Sequence, residues 1–119
     1  MAIVSLVPAL AWAAVMGRAA ADDDAKLVTY GRHLAQECTS CHRIDGVNIG
    51  IPSIIGWPHD AFVATMKFYK DGARTNPVMV SVAGSLNDQQ VKALATYFGS
   101  LPKPSPRPST PSADKKAKK

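Results

Sequence analysis

The stretch Cys38-Thr39-Ser40-Cys41-His42 places two thiols three positions apart and follows the second thiol directly with an imidazole. The chain of 119 residues contains two cysteines, and both lie in this stretch. A disulfide between them would close a very small loop and would constrain little of the unfolded chain. The folded part expected around them, residues 22–101, is short enough to need a bound group that completes its core.

The spacing C-x-x-C-H is typical of covalent haem attachment. Two thiols separated by two residues can both face the vinyl groups along one edge of a porphyrin, and the next residue can turn its imidazole to the iron. The sequence therefore predicts one haem c, bound covalently by Cys38 and Cys41, with His42 as an axial ligand of the iron.

Three other interpretations of the motif compete with haem. A thioredoxin-type dithiol requires a helix N-terminus that lowers a thiol pKa within an α/β fold, whereas this motif follows a predicted helix. A zinc site requires four ligands, usually from a second Cys or His pair, and the remaining histidines, His33 and His59, do not form such a pair. The third alternative is a chance occurrence of the motif.

The iron also needs a sixth ligand or an open position. Met66 lies on the apolar stripe of a predicted helix, where a methionine usually packs in the core. His33 precedes the motif on its own helix, and His59 is interpreted as a helix-start residue. Met79 falls in a segment predicted as a loop, Thr75–Ala83, from which a side chain can be aimed at a metal. Met79 is therefore the expected distal ligand.

Apolar residues recur at helical spacing in three segments, which predicts three helices. The segments are Ala25–Glu37, Asp60–Tyr69 and the stretch from the N-cap Asn87 to Leu101. Asn87 and Gln90 match the pattern of a capping box at the start of the last helix. Long irregular loops over Cys38–Gly50 and Thr75–Ala83 are expected, and such loops make sense if they wrap a large ligand.

The N-terminal residues 1–21 match a cleaved signal peptide. The run Ile3–Met16 is apolar apart from one serine and is too short to span a bilayer as a helix. Ala19 and Ala21 fit the small residues expected before a cleavage at Asp22. No Lys or Arg precedes the apolar run, and an uncleaved anchor helix is the alternative.

Residues 102–119 contain five prolines and six of the 14 Lys and Arg residues, and are expected to be a disordered tail. Residues 22–101, with seven basic and eight acidic side chains, are nearly neutral. The net charge of +5 therefore belongs to the tail and does not predict a nucleic-acid-binding face. Membrane contact is expected only through this tail or through an uncleaved N-terminal segment.

From Tyr30 to Leu101 the sequence resembles the small class I c-type cytochromes, among them the cytochrome subunit of flavocytochrome c sulfide dehydrogenase. The matching segments, besides the cysteine–histidine motif, are Gly31, Ile51-Pro52-Ser53-Ile54-Ile55-Gly56, Lys70-Asp71-Gly72-Ala73-Arg74, Asn76-Pro77-Val78-Met79, Leu86-Asn87-Asp88 and Ala95-Thr96-Tyr97-Phe98. The resemblance implies an all-α cytochrome c fold, in which three main helices and long loops surround one covalent haem.

The resemblance also implies roles for single residues. Gly31 is where the first helix crosses the last one closely. The carbonyl of Pro52 is the partner of the second ring nitrogen of His42, and Met79 is the distal ligand. Ligation of the iron by histidine and methionine leaves no position for a substrate, which is typical of an electron carrier and not of an enzyme.

The expected function is therefore a periplasmic carrier of single electrons between redox proteins, in sulfur-compound oxidation or a respiratory chain. The main alternative is a dedicated haem subunit of a dehydrogenase complex, such as sulfide dehydrogenase. A haem sensor or peroxidase-like enzyme would need an open sixth position at the iron, and a thiol oxidoreductase would keep Cys38 and Cys41 free.

Overall fold

The computed structural model describes residues 13–105 of the chain. Within this part the chain forms four α-helices and no strand. They are α1 (Ala13–Thr39), α2 (His59–Lys70), α3 (Pro77–Ser85) and α4 (Asp88–Ser100). The expected all-α fold is confirmed, with one helix more than the sequence pattern predicted.

Helix α3 corrects the expectation of a loop over Thr75–Ala83. Its residues include three valines and a glycine, which have low helix propensity, so composition and apolar spacing did not predict a helix there. The helix is supported by its N-cap and by packing. Asn76 caps its first turn, Pro77 supplies the φ that the first helical position requires, and Ala83 is fully buried. Met79 therefore lies on a helix and not in a loop.

Helix α1 is longer than predicted at its N-terminal end. It begins at Ala13 and continues without interruption through the expected cleavage position before Asp22. Residues 1–12 lie outside the described residues, so removal of residues 1–21 stays a prediction. None of the four described helices combines the length and the apolar character that crossing a membrane requires.

The core lies where α4 packs between α1 and α2. Phe98 and Leu94 of α4 are fully buried, and the ring of Phe62 from α2 stacks on Phe98 with 5.8 Å between the ring centroids. Helix α3 packs against α2. A Cβ added to Gly31 of α1 would lie 2.1 Å from the carbonyl oxygen of Ala93, so α1 and α4 meet backbone to backbone. The close crossing expected at Gly31 is present.

The residues that follow α4 still contact the rest of the domain. A Cβ added to Gly46 would lie 1.9 Å from Cγ of Pro104, and one added to Gly56 would lie 2.5 Å from Cγ of Lys103. Lys103 and Pro104 thus lie against the loop that follows the motif. The domain boundary at Leu101 stays a prediction. Residues 106–119 of the expected tail lie outside the described residues.

Candidate functional site

The cysteine–histidine motif occupies the last turn of α1 and the turn that follows it. The backbone N–H groups of Cys41 and His42 both donate to the carbonyl oxygen of Cys38, at 3.2 and 2.8 Å. Cys38 is half-buried and packs against the core, whereas Cys41 is exposed, and no disulfide joins them. The two thiols and the imidazole are thus held within one tight turn of chain.

His42 is held in a defined orientation and tautomer. Among the side chains that the structure describes, it is the one polar group in the buried class. Its Nδ1 lies 2.7 Å from the carbonyl oxygen of Pro52. Because a carbonyl oxygen only accepts hydrogen bonds, Nδ1 is the donor, and in the neutral ring the lone pair therefore lies on Nε2. This is the tautomer that coordination of a metal through Nε2 requires.

The environment of Cys38 does not suit thiol–disulfide exchange. Burial raises the pKa of its thiol, and the negative charge of Glu37 raises it further. The residue lies near the C-terminal end of α1, where the helix macrodipole also disfavours a thiolate. Thiol oxidoreductases depend on a lowered pKa at the attacking cysteine, so the surroundings of Cys38 count against that alternative.

The described part of the chain contains no set of side chains that could form a zinc site. No three His, Cys, Asp or Glu side chains gather there in a way that holds a metal ion. His33 is exposed on α1, and Nδ1 of His59 lies 3.1 Å from Oδ1 of its neighbour Asp60 at the start of α2. Neither histidine joins the motif.

Met79 lies in the first turn of α3, half-buried and packed against the core. Its backbone N–H donates to Oδ1 of Asn76 at 3.2 Å, and the N–H of Val78 donates to the same oxygen at 3.1 Å. The cap therefore fixes the backbone of Met79 directly. The other methionine considered for the iron, Met66, is buried in the core of the domain, as its position on an apolar stripe predicts.

Asn76 was not predicted to have a role, although the Asn76-Pro77 pair lies within the segment expected to be a loop. Asparagine followed by proline is the pattern of an N-cap and first helical position. That signal was sufficient to find the start of α3.

The surroundings of the motif and of Met79 fit a large, flat, apolar group. Among the described helices, α1 and α3, which carry the motif and Met79, do not pack against each other. Large apolar side chains are exposed in the loop that follows the motif, with Ile49 at 72%, and in the first turn of α3, with Val78 at 62%. Two thiols, a free imidazole nitrogen and a thioether are the donor set that haem c takes.

Comparison with curated proteins shows several cytochromes that are similar to this chain. It is 36% identical over 108 residues to the thiosulfate dehydrogenase electron acceptor of Thiomonas intermedia (strain K12), covering 88% of this chain and 45% of that protein. It is 34% identical over 74 residues to the cytochrome subunit of sulfide dehydrogenase of Chlorobaculum tepidum, covering 61% of this chain and 67% of that subunit. It is 31% identical over 81 residues to cytochrome c-553 of Helicobacter pylori (strain 26695), covering 66% of this chain and 84% of that protein.

No protein-family model matches the chain. The chain spans less than half the length of the two thiosulfate dehydrogenase electron acceptors that it matches. The cytochromes c-553 are covered over most of their length. The fold, the motif and these relatives together define a haem protein. The chain belongs to the family of small c-type cytochromes, which bind haem c.

Proposed function

We propose that this chain is an exported carrier of single electrons with one haem, bound covalently by Cys38 and Cys41 and ligated by His42 and Met79. The observation that carries the proposal is the 2.7 Å contact between Nδ1 of His42 and the carbonyl of Pro52, next to two thiols at C-x-x-C spacing. When bound, the haem supplies a one-electron change at its iron. The protein supplies the two ligands and the apolar surroundings.

Each of these residues has a separate task. The hydrogen bond to Pro52 makes the His42 ring a more basic ligand and prevents its rotation. The thioether of Met79 is a soft ligand that raises the reduction potential relative to a second histidine. Exposed apolar side chains such as Ile49, in the loop after His42, and Val78, which precedes Met79, are available to cover the haem faces. Two fixed ligands leave no position for a substrate.

We propose that the electron donor is a dehydrogenase that oxidises an inorganic sulfur compound. The similarity to a thiosulfate dehydrogenase electron acceptor over 88% of this chain supports this assignment. A free carrier makes small and short-lived contacts with its partners. Purified thiosulfate dehydrogenase, supplied with thiosulfate, should reduce the oxidised protein in stopped-flow absorbance measurements. If neither a thiosulfate dehydrogenase nor a sulfide dehydrogenase reduces it, the carrier would instead belong to a respiratory chain.

A second candidate is a dedicated haem subunit of a dehydrogenase complex. The 34% identity to a cytochrome subunit of sulfide dehydrogenase favours it. The two candidates differ on purification from the native cell. A subunit elutes with a flavoprotein or another large partner in size-exclusion chromatography, whereas a free carrier elutes as a small protein.

Covalent attachment, haem number and export are tested together by intact mass. The full chain is produced in a bacterium that attaches haem c in its periplasm, and the periplasmic fraction is analysed. The expected mass is that of the polypeptide beginning at Asp22 plus one haem. A polypeptide of unmodified mass would contradict covalent attachment, and a chain that retains residues 1–21 would favour the anchor.

Contact of the basic residues in 102–119 with anionic lipid stays a prediction.

Replacing Met79 by alanine should remove the methionine–iron charge-transfer absorbance of the oxidised protein and lower its reduction potential. The reason is that water or another weak ligand replaces a thioether at the iron. The matched control is Met66→Leu, a nearly volume-conserving change in the core, for which we expect a loss of stability under about 1.5 kcal/mol and an unchanged spectrum. A charge-transfer band that survives Met79→Ala would assign the sixth position to another residue.

Replacing Asn76 by alanine should weaken the link between Met79 and the iron. The variant loses the oxygen that accepts from the N–H groups of Val78 and Met79, which costs about 1 kcal/mol of stability. The control is Asn87→Ala, which removes the cap of α4 at a similar cost. We expect the charge-transfer band to be lost at lower denaturant concentration in the Asn76 variant than in the Asn87 variant, and equal midpoints would contradict a role specific to Met79.

A further inference from the structure

The residues that directly follow α4 lie on the loop that connects the haem-binding motif to α2. We call Pro102–Ser105 the C-terminal strap. The ring of Pro104 occupies the position that a side chain on Gly46 would take, with 1.9 Å from Cγ to an added Cβ. The side-chain stem of Lys103 likewise occupies the position that a side chain on Gly56 would take. The carbonyl oxygen of Leu101 also lies 3.1 Å from a Cβ added to Gly56.

These two glycines flank the part of the loop that carries Pro52. Gly46 has a positive φ of 73° and donates its N–H to the carbonyl of Arg43, which closes a tight turn directly after His42. Gly56 has a positive φ of 68° and donates its N–H to the carbonyl of Phe98 in α4 at 2.9 Å. The loop is thus attached to the domain at one end by α4 and touched at both ends by the strap.

Glycine at both positions has a physical reason beyond its φ. The strap approaches the loop so closely that a side chain at either position would collide with it. Lys103 and Pro104 remain exposed on their outer side, so the contact is made by the proline ring and by the apolar stem of the lysine. The contact does not depend on the positive charge of the residues after it.

We propose that Lys103 and Pro104 are positioning residues for the axial ligand His42. The strap holds the turn at Gly46 and the loop end at Gly56, and the loop between them presents the carbonyl of Pro52 to Nδ1 of His42. The proposal rests on the proposed function, in which His42 ligates the iron. It also assigns a task to the first residues of a segment whose composition alone predicts disorder.

The test uses the haem-loaded protein and compares two shortened chains with the full chain. One ends at Leu101 and lacks the strap; the matched control ends at Ser105 and keeps the strap but lacks the basic residues that follow. The readout is the solvent-exchange rate of the Nδ1 proton of His42, measured by NMR on its paramagnetically shifted signal. We expect an increase of about tenfold for the chain that ends at Leu101, because the loop opens more often, and no change for the chain that ends at Ser105.

A second measurement isolates the contact between Pro104 and Gly46. Gly46→Ala strains the backbone in any chain, but its Cβ collides with Pro104 only where the strap is present. The loss of stability caused by Gly46→Ala should therefore be larger in the chain that ends at Ser105 than in the chain that ends at Leu101. Pro104→Gly in the full chain should relieve part of the same loss.

The possible outcomes distinguish failure of the strap proposal from failure of the haem assignment. Equal exchange rates of the His42 proton in both shortened chains, together with equal effects of Gly46→Ala, would overturn the strap while leaving the haem assignment intact. A full chain that carries no covalent haem would overturn the proposed function and the strap with it. Faster exchange in the chain that ends at Ser105 would also overturn the proposal, because it would assign the effect to the residues after the strap.

Discussion

Replacing both Cys38 and Cys41 by alanine should abolish covalent haem attachment and leave no haem stain after denaturing electrophoresis. The physical reason is that the two thioethers are the only covalent bonds between protein and porphyrin in the proposed site. We expect each single variant to retain at most one bond and to accumulate at a much lower level. Intact mass of the periplasmic protein measures the loss directly.

The effect of this double replacement should extend to the fold. The loop after the motif and the first turn of α3 expose large apolar side chains, such as Ile49 and Val78, that we expect a bound haem to cover. A domain of this size has a small core, so the loss of its largest apolar group removes much of its stability. Circular dichroism should show reduced helix content at the temperature at which the unaltered protein is fully folded.

The control for the cysteine variants is Ser40→Ala, which lies between the two thiols. Ser40 is exposed, and its hydroxyl donates to the carbonyl of Glu37 at 2.7 Å, so its removal leaves the spacing of the thiols unchanged. We expect full haem attachment in this variant. Haem that remains bound through denaturation in the double cysteine variant would contradict the proposed site.

Replacing Gly31 by valine should destabilise the domain by about 3 kcal/mol or more, at the upper end of the cost of overpacking a core. An added Cβ would lie 2.1 Å from the carbonyl oxygen of Ala93 and 2.7 Å from Cβ of Tyr97. The first of these atoms belongs to the backbone of α4 and cannot rotate away. The helices must therefore separate, which exposes core side chains such as Phe98. Since small domains have total stabilities of about 5–15 kcal/mol, the change removes a large fraction.

The matched control for Gly31→Val is a glycine in a helix with open space around it. Gly84 of α3 meets nothing within 4 Å of an added Cβ. Gly84→Ala should therefore stabilise the protein by about 0.4–1 kcal/mol, because alanine restricts the unfolded chain and favours the helix. Denaturant unfolding followed by circular dichroism compares the two variants. Equal midpoints for Gly31→Val and the unaltered protein would show that the helix crossing tolerates a side chain.

The structure also bears on the alternative of a haem sensor or peroxidase-like enzyme. That function needs a sixth ligand that leaves the iron readily. The backbone of Met79 is fixed by the side chain of Asn76 at the start of a helix, and Met79 itself packs against the core. In the proposed site, both contacts would oppose the departure of Met79 from the iron. They therefore support the proposal of a permanent ligand and of a carrier.

The sequence by itself determined the parts of the protein that depend on neighbouring residues. The C-x-x-C-H spacing predicts the haem-binding motif within five positions. The capping box of Asn87 and Gln90 predicts the start of α4, and both of its hydrogen bonds are present at 2.9 Å. The helical spacing of apolar residues predicts α2 to within one residue at each end. Such signals are local, because they arise from hydrogen bonds and side-chain periodicity within a few turns of chain.

The tertiary structure decided what depends on packing between distant segments. Helix α3 has low intrinsic propensity and forms with the support of its cap at Asn76 and the burial of Ala83 against the rest of the domain. The strap joins Pro104 to Gly46, which are far apart in sequence, and its composition alone predicts disorder. The reason is physical. The free energy of a contact between distant segments is realised only when the segments meet, so a local sequence pattern does not predict the contact.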